Sequence, residues 1–118
     1  MDEFRFLKWS VYKDAKDLVK EIYKITNNFP QKFKYELGNQ INKSAISVVL
    51  NIAEGSGKNS DKELNRFFDI AIGSVYETIA GIDMAYSNKL IPSKEFEKLI
   101  TNLKDIARQL GGFKKKLK

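Results

Sequence analysis

The chain has 118 residues, of which 42% are hydrophobic, and carries 21 Lys and Arg against 15 Asp and Glu, a net charge of +6. That length fits one domain, expected to span residues 1–118 and to bury roughly two-thirds of the surface its unfolded form exposes. With no Cys and no His, disulfides, thiolate or imidazole metal sites, cysteine nucleophiles and histidine-based triads are all excluded.

Met1-Asp2-Glu3 is acidic and no apolar run follows it, so no secretory signal is read there. No apolar run reaches membrane-spanning length, and a cytoplasmic protein with no membrane role is expected. Phe4, Phe6, Leu7 and Trp9 lead into Ser10, a predicted N-cap. Val11, Ala15, Leu18, Ile22 and Ile25 then recur at steps of three and four, one face of a helix over about 10–27. Asn27-Asn28-Phe29-Pro30 stops it, because proline disfavours helical geometry in the residue before it.

A second helix is expected over 32–54, on Phe33, Leu37, Ile41, Ala45, Val48 and Ile52. Ile46, Val49, Leu50 and Ala53 make its C-terminal half apolar on nearly every side, which points to a subunit interface. Gly55 and Gly57 end it, and Ser60 with Glu63 reads as a capping box opening a third helix over 61–88. A stripe of small residues, Ala71, Ser74, Thr78, Gly81 and Ala85, lets a neighbour approach closely. Gly81 costs about 1 kcal/mol against Ala in a helix interior, so packing is its expected reason. Pro92 and Ser93 open the fourth helix, over 93–116, with Phe96, Leu99, Leu103, Ile106, Leu110, Phe113 and Leu117. Gly111-Gly112 should fray or bend its last turns. Nothing alternates with a period of two for long, so the fold class is all-α. Short connections imply an antiparallel, up-down-up-down four-helix bundle.

Gly55-Ser-Gly-Lys58 has glycines and a lysine, but the spacing of a phosphate loop fails, with Ile52 and Asn59 at the wrong positions and a helix in front. Glu54, Glu63, Asp69, Glu77 and Asp83 lack the histidine partners of bundle metal sites, and no metal or cofactor is expected. Asn51 and Glu54 are polar among Val48, Val49, Ile52 and Ala53, so each needs a hydrogen-bond partner. They are expected to bond the backbone of the 55–60 turn, or Glu54 to pair with Arg66, while Glu77 organises helix three with Ser74. The positive excess lies chiefly in residues 92–118. Candidates for nucleic-acid contact are Lys104, Arg108, Lys114, Lys115, Lys116 and Lys118 on the last helix, with Lys43, Lys58, Lys62 and Arg66 around the central turn. Phosphate contacts need cations but no strict spacing.

Ser47-Val-Val-Leu-Asn51-Ile-Ala-Glu54-Gly55 with Gly57, followed by Ser60, Glu63, Arg66-Phe67, Ile70-Ala71, Gly73-Ser74 and Glu77, resembles a bacterial family. These are the four helix bundle proteins encoded in intervening sequences of large-subunit ribosomal RNA genes. Helix one agrees through Ala15, Leu18, Ile22-Tyr23, Thr26 and Phe29-Pro30. The chain departs from the family at Val49, where proline is frequent, at Gly81, where Gln is frequent, and at Ser87-Asn88-Lys89-Leu90, where a Leu-Gly-Tyr turn is common. The resemblance extends to the accessory variability determinant of diversity-generating retroelements, a pentameric ring that engages nucleic acid and a reverse transcriptase. It implies a homopentamer, no assigned catalytic residues, and RNA or DNA or a protein as partner. The function expected is a non-enzymatic ring-forming bundle that binds RNA or DNA through a basic surface. The alternative is a protein-interaction scaffold with no nucleic-acid role.

Overall fold

Val11, Ala15, Leu18 and Ile22 are buried along one side of the first helix, α1 (Ser10–Thr26), in a computed structural model that describes residues 4–117. A 3₁₀ turn, Arg5–Lys8, precedes it. The second helix, α2, covers residues 31–56 and is built of an α turn, a π turn at Lys34–Gly38 and a long α segment, Asn39–Ser56. Helix α3 is Asp61–Ser87 and α4 is Ser93–Lys115. The described residues contain four helices and no strand. None of these helices is long and apolar enough to cross a membrane.

The apolar stripes meet in one core. Ile41, Ala45, Val48 and Ile52 from α2 join Phe68, Ala71, Val75 and Ile82 from α3, and Leu99, Leu103, Ile106 and Leu110 from α4. Burying such aliphatic side chains contributes about 1.5–3 kcal/mol each, which outweighs the local preferences of single residues. Helices α2 and α3 share the closest seam. At Gly81 an added Cβ would stand 2.7 Å from Cγ1 of Ile41, and at Gly55 it would stand 2.9 Å from Cβ of Phe67. The close packing expected at Gly81 is present.

Two sequence expectations change here, and two further features go beyond them. The N-cap position of α1 is Trp9, and the hydroxyl of Ser10, already inside the helix, donates to Oε1 of Gln109 at 3.0 Å. Helix α4 continues through Gly111 and Gly112. It is held because Phe113 packs on Trp9 and Phe68 and Lys114 pairs with Asp69. The small stripe Ala71, Ser74, Thr78, Gly81 and Ala85 is buried within the chain, so it is not a surface left for another subunit. The π turn in α2 has no counterpart in the sequence reading.

Candidate nucleic-acid interface

Trp9, Phe68 and Phe113 come from three distant parts of the sequence and touch one another. Ring centroids lie 4.7 Å apart for Trp9 and Phe113, 5.0 Å for Phe68 and Phe113, and 6.1 Å for Trp9 and Phe68. Apolar burial of these rings therefore fixes the N-terminal turn, the start of α3 and the end of α4 against one another. Each of the three carries cations. The Arg5 guanidinium lies 5.3 Å from the Trp9 ring. Phe67, beside Phe68, has the Lys58 ammonium at 5.1 Å and the Arg66 guanidinium at 4.5 Å. Lys114 reaches across to Asp69.

The packing thus sets the segment that carries Lys58, Lys62 and Arg66 beside the segment that carries Lys114, Lys115 and Lys116, some fifty positions on in the sequence. Arg66 is held by Glu63 at 3.2 Å and Lys58 by Glu54 at 3.9 Å. Lys62, Lys115 and Lys116 are exposed and have no carboxylate within ion-pair distance among the described residues. Arg108 is further back on α4 and pairs with Asp105. Lys104 is exposed on the same helix. Lys43 lies apart from this end, in the N-terminal half of α2, and Lys118 lies outside the described residues. Sequence reasoning missed Arg5. Its signal is Phe4-Arg5-Phe6-Leu7-Lys8-Trp9, in which cations alternate with aromatic and aliphatic residues.

The polar motif has partners other than those expected. Asn51 donates through Nδ2 to the Ser47 carbonyl at 2.8 Å and to Ser47 Oγ at 3.0 Å, one helical turn back rather than forward to the 55–60 turn. Ser47 and Ser74 share a hydroxyl hydrogen bond of 2.8 Å across the α2–α3 seam. Deeper in that seam, Thr78 Oγ1 lies 2.7 Å from both Ser44 Oγ and the Ser74 carbonyl. Glu54 pairs with Lys58, four residues on, and not with Arg66, which is taken by Glu63. Glu77 points to solvent with no hydrogen bond to Ser74 among the described residues. Ser60 accepts from the Glu63 N–H at 3.2 Å, as a cap should. The Glu63 side chain turns to Arg66 instead of closing the box, and the Arg66 hydrogen bond, followed by its charge, lowers the Glu63 carboxyl pKa. No cluster of three or more acidic side chains able to hold a metal ion occurs among the described residues.

Four helices around a single core, with a cationic end assembled from three chain segments, define a small all-α protein. The chain belongs to the family described as 23S rRNA-intervening sequence protein, whose model matches residues 8–112. A comparison with curated proteins finds no match.

Proposed function

We propose that this chain is a non-enzymatic helical bundle that assembles with copies of itself and binds RNA or DNA through its basic end. The observation that carries the reading is that the Phe68–Phe113 and Asp69–Lys114 contacts set the start of α3, where Lys58 and Arg66 lie over Phe67, beside the lysine-bearing end of α4. Ammonium groups without carboxylate partners are available to neutralise phosphates, and each phosphate so neutralised releases counterions. The pairing of Ser47 with Ser74, Ile41 with Gly81, and Phe68 with Phe113 supports an up-down-up-down, antiparallel arrangement.

Self-assembly is supported by a separate feature. Leu50 on α2 is 60% exposed and Ile70 on α3 is 41% exposed. By helical spacing Leu50 and Ile70 lie one turn from the Ser47–Ser74 bond, on the same side of it. Such an unpaired apolar strip suits a second copy, and the family resemblance suggests a ring of five. The same strip is what favours the second reading, a scaffold for a protein partner.

Charge reversal tests the first reading. Lys115→Glu/Lys116→Glu leaves the core untouched and is expected to weaken binding of a mixed RNA and DNA pool at least tenfold at low salt. The slope of log affinity against log salt should fall by roughly one to two. Unchanged affinity and slope would count against the basic end.

A further inference from the structure

The N-terminal half of α2 carries a site that the basic end does not use. At the π turn the Asn39 N–H reaches the Lys34 carbonyl, five residues back. Such turns insert one residue into a helix and are frequent at functional positions. Gly38 packs inward, with a Cβ position 3.6 Å from both Thr26 and Phe29, while Tyr35 on the same turn is 64% exposed. Beside it runs an open groove of about 770 Å³ whose lining includes Lys32, Tyr35, Asn39, Lys43 and Asn88, with one carboxylate, Glu36.

The polar groups of this groove are oriented by their neighbours. Asn39 donates through Nδ2 to the Tyr35 carbonyl at 2.7 Å, and Asn88 does the same to the Met84 carbonyl at 2.9 Å. Each therefore keeps its Oδ1 acceptor and one N–H for another molecule. Lys32 and Lys43 have no carboxylate partner among the described residues. An exposed aromatic ring near two ammonium groups that outnumber the one carboxylate, Glu36, with amides at hand, matches the requirements of an unpaired strand. Bases stack on the ring, phosphates meet the ammonium groups and amides pair with base edges. In a duplex the base faces are already stacked and offer the ring nothing.

We propose that this groove binds a single-stranded stretch of RNA or DNA, with Tyr35 stacking a base, Lys32 and Lys43 contacting phosphates, and Asn39 and Asn88 meeting base edges. The proposal rests on the nucleic-acid reading above and adds a strand preference that phosphate contacts alone do not supply. Two lysines would also suit an acidic peptide, but the exposed ring and the amides favour the strand.

Fluorescence anisotropy on the full chain tests this, with a labelled mixed-sequence single strand, the duplex of the same sequence, and a labelled poly-glutamate peptide. Tyr35→Ala and Lys32→Ala/Lys43→Ala are expected to weaken single-strand binding about tenfold. The Tyr35→Ala change should leave duplex binding within about twofold. Tyr35→Phe keeps the ring and should bind the single strand as the unmodified chain does. Lys115→Glu/Lys116→Glu should weaken both nucleic acids, which separates the two sites. If Tyr35→Ala binds the single strand unchanged while the basic-end variant does not, the groove is overturned and the basic end stands. If the unmodified chain binds neither nucleic acid, both readings are overturned. Peptide binding that depends on Tyr35, beside strand binding that does not, would overturn the proposal in favour of a protein partner.

Discussion

Gly81 stands where two opposing effects can be compared by size. Alanine is the better helix residue by about 1 kcal/mol. Its Cβ would stand 2.7 Å from Cγ1 of buried Ile41, however, and overpacking a close seam costs about 1–3 kcal/mol. The clash wins. Gly81→Ala should lower the thermal midpoint by roughly 4 °C or more, read by circular dichroism, and a raised midpoint would refute the account. Asn51→Ala removes two hydrogen bonds to Ser47 at a partly exposed position, for a loss of about 0.5–1.5 kcal/mol, with nucleic-acid binding unchanged. Glu63 has its carboxyl pKa lowered by the Arg66 hydrogen bond and then by the Arg66 charge. Its contribution is therefore present at neutral pH and lost as the pH falls through that lowered value. An NMR titration of Glu63 should show the depressed midpoint, and Arg66→Ala should raise it toward the ordinary one. At this scale the sequence marks which residues are unusual but not their partners. Asn51 is conspicuous among Val48, Val49 and Ile52, yet whether it bonds forward to the turn or back to Ser47 depends on its rotamer. Glu54 likewise had two cations within reach of its helix end.

The stripes that set the helices apart are legible because burial acts on periodicity. Val11, Ala15, Leu18 and Ile22, or Leu99, Leu103, Ile106 and Leu110, are the residues the core takes up. The π turn is not legible. Phe33, Leu37 and Ile41 are spaced by four, a step that one wide turn satisfies as well as a regular one. The continuation of α4 past Gly111-Gly112 was hidden for another reason, since propensity argues for fraying and only the Phe113 contacts with Trp9 and Phe68 argue against it. A Cβ at either glycine meets nothing within 4 Å. Gly111→Ala and Gly112→Ala should therefore each stabilise the protein by up to about 1 kcal/mol, the opposite sign to Gly81→Ala. Ser60→Ala should cost about 1 kcal/mol by removing the cap from the Glu63 N–H.

At the scale of the molecule, the basic character of residues 58–66 and 114–116 can be read from the sequence, but their meeting cannot. It depends on how α3 and α4 pack, through Phe68 with Phe113 and Asp69 with Lys114. The same packing leaves Lys43 apart, beside Tyr35, and spends the small stripe of α3 inside the chain. Among the exposed apolar residues, Leu50 and Ile70 are the pair offered to a further copy. Leu50→Glu should accordingly favour the monomer without loss of helix content, measured by sedimentation. Light scattering of the pure protein, alone and with a mixed RNA and DNA pool at low and moderate salt, reads self-assembly and nucleic-acid binding together. The account predicts a particle several times the mass of one 13.6 kDa chain that gains nucleic acid at low salt and releases it as salt rises. A monomer, or an assembly that ignores nucleic acid at every salt concentration, would contradict it.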